Sequence, residues 1–300
     1  MSKKSAKPKA PKLERVAELA MHLGGQHLAE YGSARSRQDF TQRQLMSCLI
    51  LRAYLKTTYR GLLEILAGHG RLRTVLGMEE KLPHFTTLQK FSARSRVLEI
   101  ADALIGRIGQ VALRRQAKVE EEVAVAIDAT GMETTVASAH FVSRSGRQRR
   151  RWVKLSLSVV CGCLFPLGLV LGWGPTNDKS DAPALLEKTL DQPLDCLPQR
   201  LYGDAGYDAD WIHAYCREGW GVESIIKAVC RRADGKLGGT YRAKMTKAHL
   251  KRRTYGRRWE IESFISGLKR TTGSALLART ATNLLHEAAL RVLAYTLNRR

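Results

Sequence analysis

The chain has 300 residues, enough to bury a full core and to hold one large domain beside a smaller one. Fifty Lys and Arg stand against 28 Asp and Glu, a net charge of +22. That excess is rarely needed by an enzyme acting on small molecules and points to a polyanionic partner, nucleic acid first and an anionic membrane surface second. No apolar run reaches the roughly 20 residues of a membrane span.

The start, Met1–Leu13, is rich in Lys, Pro and Ala with no apolar stretch behind it. It reads as a solvated basic tail rather than a secretory signal, which makes the cytoplasm, and within it the nucleoid, the expected compartment. Residues 14–118 read as helices joined by short turns. Leu45, Cys48, Leu49, Leu51 and Leu55 recur near a helical period, and so do Leu62, Leu63, Ile65 and Leu66 after Thr57-Thr58, which can cap a helix start. Gly68-His69-Gly70 breaks that helix. The segment from Phe85 to Arg94 reads as a short helix with Thr86 near its cap and a basic outer face. A helix, a Gly-rich turn and a second helix are compatible with a helix-turn-helix, although most short helix pairs merely pack.

From residue 119 the texture changes. Val123–Ile127 reads as a buried strand, with Thr135–Val142 as a possible hairpin partner and the run Arg144–Arg151 as an exposed turn. Trp152–Cys163 and Leu167–Trp173 read as further strands. Pro175–Ser180 is a polar loop, Ala182–Leu190 a helix, Arg200–Asp204 the end of a strand, Asp208–Gly219 a helix and Val222–Val229 a strand. Residues 231–247 read as a basic loop, and helices follow from Ala248, broken near Thr271-Thr272-Gly273. Strands in succession, then strand alternating with helix, make a mixed α/β domain. The positive charge is uneven: residues 242–300 hold 14 Lys and Arg and only 3 Glu. The six cysteines lack paired CxxC spacing, so buried reduced thiols are expected rather than a zinc site.

Three acids stand out. Asp128 closes the apolar run Val123–Ile127, either as an acid at a sheet rim or as the start of a turn. Asp204 follows Leu201-Tyr202-Gly203, and Gly206 permits a sharp turn that leaves the carboxylate at a strand end. Asp208 and Asp210 read as a helix cap and first-turn acid. Glu262 lies in the basic segment 255–269. Read as one helix at about 100° per residue, this segment puts Tyr255, Arg258, Glu262 and Lys269 on one face and turns Glu260 away. That stripe suits a site for metal and phosphate together; it is also what a solvated Arg258–Glu262 ion pair looks like.

The spacing Y-x2-R-x3-E-x6-K, filled by Tyr255, Arg258, Glu262 and Lys269, resembles the signature of insertion-sequence DDE transposases of the insertion-sequence four/five superfamily. Ala126–Met132 and Tyr202–Asp208 look like that group's first and second catalytic regions. Leu82–Ser95 and Ala278–Arg299 are also similar to its members, so the resemblance covers most of the chain.

The resemblance implies a ribonuclease-H-like catalytic domain over residues 119–300, behind a helical DNA-binding region at 14–118. It implies two Mg²⁺ ions, with Mn²⁺ able to substitute, held by Asp128, Asp204 and Glu262. Arg258 and Lys269 would contact phosphates and Tyr255 would position the strand. The Arg144–Lys154 turn, with Arg149, Arg150 and Arg151, and residues 242–258 would hold the DNA backbone. The implied reaction is hydrolysis at transposon ends, then attack of the freed 3′-OH on target DNA. The partners would be the element's terminal inverted repeats, the target duplex and a second copy of the chain. The 58-residue interval between Asp204 and Glu262 leaves no room for the large β-rich insertion of some relatives. A structure-specific nuclease on the same fold and a non-catalytic DNA-binding derivative remain as alternatives. A basic RNA-binding protein would leave the three acids unexplained.

Overall fold

The computed structural model describes residues 11–35, 37–134, 152–191, 196–230, 233 and 235–300. They divide into two compact units, one formed by the chain up to Ile100 with Leu290–Arg300, the other by Ala101–Ala289.

The first unit is helical: α1 (Lys12–His27), α2 (Gln42–Leu55), α3 (Tyr59–Gly68), α4 (Gly70–Leu76), α5 (Phe85–Ser92) and the start of α6 (Arg96–Gln116). Helix α2 is its axis and is buried almost throughout. Thr41 and Gln44 close it with a reciprocal capping box. Thr58 caps α3 by accepting from the Gly61 N–H. Helix α5 has His84 at its N-cap, and Thr86, near that cap as expected, has its hydroxyl hydrogen-bonded to His84 Nδ1.

The second unit is mixed α/β around one sheet, consistent with a ribonuclease-H-like fold. Its strands are β1 (Ala124–Thr134), β2 (Trp152–Val160), β3 (Phe165–Gly174), β4 (Arg200–Gly203), β5 (Glu223–Ile226) and the two-residue β6 (Ala275–Leu276). The order is β3-β2-β1-β4-β5. The first three strands pair antiparallel, and β4 and β5 add in parallel. Helix α7 (Asp178–Leu190) lies on β2 and β3; α8 (Asp210–Ala214) runs on into a π turn at Tyr215–Gly219. Then come α9 (Lys247–Arg252), α10 (Trp259–Thr272) on β1 and β2, and α11 (Ala281–Arg299).

Several boundaries differ from the sequence reading. The partner of β1 is Trp152–Val160, and the proposed hairpin at Thr135–Val142 lies outside the described residues. Helix α7 begins at Asp178, four residues before Ala182, because the Asn177 side chain accepts from the Lys179 N–H and caps it there. Strand β5 is half the expected length. The cysteines form no disulfide among the described residues; Cys48, Cys161 and Cys216 are buried as expected, but Cys163 and Cys196 are only half-buried and Cys230 is exposed.

Candidate active site

The register of β1 against β4 sets the site. Their last pair is Ile127 with Gly203, so Asp128, still on β1, and Asp204, just past the end of β4, both follow that pair directly and stand at the same level. Asp128 is not at a strand end: β1 continues to Thr134, held by β2, and Asp128 sits opposite Leu157. The apolar run ends there because β4 ends there. Farther along that edge, β6 pairs only with Glu133 and Thr134. Among the described residues the edge between Asp128 and Met132 has no strand beside it, and the Asp128 carboxylate lies at this step in the sheet.

The Asp128 Oδ1 accepts from the Ala129 N–H at 2.8 Å. Burial pushes its pKa up to about 6; the Ala129 bond opposes this, Asp204 adds to it, Arg258 opposes and Glu262 adds. Asp204 lies where the parallel strand opens into a tight turn, and its Oδ1 accepts from the Gly206 N–H at 2.8 Å. A side chain at 206 would have to push two carboxylates aside. A Cβ there would stand 2.9 Å from Asp204 Oδ1 and 2.9 Å from Asp178 Oδ2.

The third acid arrives from the far end of the unit. Tyr255–Arg258 is a short 3₁₀ turn, and the α-helix begins only at Trp259, so the four signature residues do not share one continuous α-helix. The turn starts at Thr254, a non-glycine residue at φ 53°. It packs on β1 and β4. Tyr255 Oη donates to the Gly203 carbonyl at 3.1 Å. Arg258 points between two acids, with Nη1 3.8 Å from Asp128 Oδ2 and Nη2 2.5 Å from Glu262 Oε1. Glu262 is half exposed, and Lys269 follows two turns along α10, partly buried. Helix α10 is fixed by Ile261, Phe264 and Leu268, a buried stripe facing the sheet. Glu260 faces away from Glu262 and accepts from Arg257 at 2.8 Å and from the Gly162 N–H.

Asp128 thus has both Asp204 and Glu262 within electrostatic reach, with a guanidinium among them. The donors are hard carboxylate oxygens, the set that Mg²⁺ or Mn²⁺ takes. They are not drawn into a finished cage: among the described residues no three His, Cys, Asp or Glu side chains are close enough to hold a metal. Arg258 sets a positive charge between Asp128 and Glu262, and a divalent cation held by these acids would add to it. The residues therefore fit such an ion in chemistry and charge.

This geometry agrees with the comparison to known families. The family described as Transposase DDE domain matches residues 120–297, more than half of the chain. The chain belongs to that family. No curated protein matches the sequence.

The candidate site also holds residues that the sequence reading missed. Lys154, placed there in a DNA-holding turn, is buried on β2 and bonded at 2.9 Å to both Asp178 and Asp181 of α7. Burial lowers its pKa, but the two aspartates outweigh this and raise it overall. Asp181 also accepts from Ser156 at 2.8 Å, and Thr189 donates to Ser158 at 2.8 Å. Helix α7 is therefore keyed to β2 by a buried polar ladder. The signal in the sequence was the polar alternate set Lys154, Ser156 and Ser158 within an otherwise apolar strand.

The basic segment 242–258 of the transposase is also not a uniform DNA surface. Arg242 grips Asp208 with two bonds of 2.6 and 2.7 Å. Arg253 pairs with Glu223 at 3.0 Å, and Arg257 with Glu120 at 3.1 Å. Asp208 is not a helix cap: it is buried and also accepts from the Val229 N–H. Asp210 is the expected first-turn acid, but its carboxylate also receives the N–H groups of Thr240, Tyr241 and Arg242. Arg149, Arg150 and Arg151 lie outside the described residues.

Proposed function

We propose that this transposase cuts DNA at the ends of a mobile element and joins the freed ends to target DNA. The observation that carries this reading is the level register of Asp128 and Asp204 at the step in the sheet, with Arg258 reaching from Glu262 to Asp128. In the first step a water oxygen bonds to the scissile phosphorus and the bond from phosphorus to the 3′ oxygen breaks, leaving a 3′-OH and a 5′-phosphate. In the second, that 3′ oxygen bonds to a target phosphorus, and the displaced target 3′ oxygen takes the proton.

Asp128, Asp204 and Glu262 would hold two Mg²⁺ ions, or Mn²⁺ in their place. When bound, such ions activate the attacking oxygen and stabilise the leaving one. Arg258 would exchange Glu262 for a phosphate oxygen as the acid turns to the cation, and Lys269 would bind the same strand two turns along. Tyr255 would act by fixing the turn that carries Arg258. Arg149–Arg151 and the exposed cations of α9 would hold the backbone of double-stranded DNA, with salt-dependent affinity. Helices α3 to α5, with the outer residues Gln89 and Lys90, would bind the terminal repeats, and two copies would pair the ends. The setting would be the cytoplasm, on the nucleoid.

The test is a mini-element with terminal repeats, Mg²⁺ and purified protein. The wild type is expected to nick the ends and to give joined products, and Asp128→Ala, Asp204→Ala and Glu262→Ala to give neither. Cleavage retained by all three variants would refute the assignment. Cleavage without joined products by the wild type would instead make the protein a nuclease on this fold.

A further inference from the structure

Tyr207 has no place in the chemistry described so far, yet it is among the most deeply buried large side chains of the chain. Its ring packs in the cluster that contains Ile127 and Ala182. Those are the residues next to Asp128 and Asp181. Its backbone N–H closes the Asp204 turn by donating to the Asp204 carbonyl at 3.1 Å. Its neighbour Gly206 lies against Asp178 Oδ2 and Asp204 Oδ1. Burial, and after it the fields of Asp178, Asp128, Asp204 and Asp181, hold the phenol protonated.

The Tyr207 hydroxyl itself has no hydrogen-bond partner among the described residues. A buried hydroxyl without a partner is a stability cost that folding alone does not explain. Here the nearby carboxylates are engaged elsewhere: Asp178 and Asp181 by Lys154, and Asp204 by the Gly206 N–H. A donor held in place beside acceptors that face other partners becomes useful once those acceptors turn.

We infer that Tyr207 is a positioning residue of the catalytic centre, whose hydroxyl donates to the Asp204 or Asp178 carboxylate when these rotate to take a divalent cation. Asp178 belongs to this arrangement as a fourth acid, kept beside Asp204 by its bond to Lys154. The inference rests on the cation-dependent reading of Asp128, Asp204 and Glu262.

Tyr207→Phe removes one oxygen and keeps the ring. In EDTA its Tm is expected to equal or exceed that of the wild type, because the lost hydroxyl was unsatisfied. The Mg²⁺ concentration that gives half of the Mg²⁺-induced rise in Tm, read without DNA, is expected to increase about tenfold, the worth of one bond to a charged group. Cleavage at limiting Mg²⁺ is expected to fall with it and to recover at high Mg²⁺. Asp178→Asn is expected to move the same midpoint in the same direction. A Tyr207→Phe protein with the wild-type midpoint and wild-type cleavage would overturn the inference, as would a lowered Tm in EDTA. Asp128→Asn serves as the control: if it cleaves like the wild type, the cation-dependent reading itself fails, whatever Tyr207 does.

Discussion

The Tyr255 hydroxyl bonds to the carbonyl of Gly203, the residue just before Asp204. The preceding residue pair repeats the link in reverse. Tyr202 Oη reaches the Arg253 carbonyl at 3.0 Å and the Thr254 hydroxyl at 3.0 Å. Two consecutive residues of β4 thus clasp the three consecutive residues Arg253, Thr254 and Tyr255 that lead into the signature turn, with Thr254 in its left-handed conformation between them. The strand end that presents Asp204 and the turn that presents Arg258 are thereby tied together.

This assigns Tyr255 a task that can be separated from DNA contact. Tyr255→Phe is expected to lower stability by about 1 kcal/mol, the worth of one partly buried hydrogen bond. Urea denaturation reads that loss. The cleavage rate is expected to fall about tenfold through misplacement of Arg258, with DNA affinity within about twofold of the wild type. A matching drop in affinity would instead place the hydroxyl on the DNA.

Asp128 couples folding to pH. Its folded pKa is about 6, against an ordinary 3.8. Between these values the folded chain keeps a proton that the unfolded chain has released. Stability therefore falls as pH rises through this window, and above about pH 6 the whole cost is present, about 2–3 kcal/mol. Asp128→Asn is expected to be more stable than the wild type by that amount at pH 7.5 without divalent ions, and no more stable at pH 4. Thermal melts at the two pH values decide it: an equal difference at both would sever the effect from the carboxylate's ionisation.

What was legible in the sequence was what repeats with a local period. The angle between Glu260 and Glu262 on a helix follows from spacing, and the two indeed face apart, one toward Arg257 and the other toward Arg258. The break at Gly273 follows from its φ of 86°. Less legible was anything decided by a distant partner. The 3₁₀ turn at Tyr255–Arg258 depends on Tyr202, 52 residues away from Thr254. The course of β1 past Asp128 depends on β2, which supplies backbone bonds whether or not the side chains are apolar. Lys154 lay at the end of a basic run and was read with it, although the acids that bury it are on α7.

That buried lysine should be costly to remove. Lys154→Met leaves Asp178 and Asp181 without their cation and is expected to destabilise the fold by about 3 kcal/mol, toward the low end for a broken buried ion pair because both acids keep some solvent contact. Adding Asp181→Asn to this variant is expected to recover part of the loss, since an amide oxygen can still accept from Ser156. A double variant less stable than Lys154→Met would show that Asp181 is held by something other than Lys154.

The basic segment divides into cations that build the fold and cations that face water, and salt separates the two. Arg242 binds an Asp208 side chain that has no solvent contact of its own. Arg242→Gln is therefore expected to cost about 2–4 kcal/mol of stability through an uncompensated buried charge. Lys247 and Lys251 of α9 are exposed. Changing either to Gln is expected to leave stability within about 0.5 kcal/mol. If each neutralises one phosphate, each loss also makes the slope of log affinity against log salt shallower by about 1. Fluorescence anisotropy on a terminal-repeat duplex across a salt series, beside urea melts, measures both quantities. A salt slope unchanged in both lysine variants would move the DNA off this face of the catalytic unit.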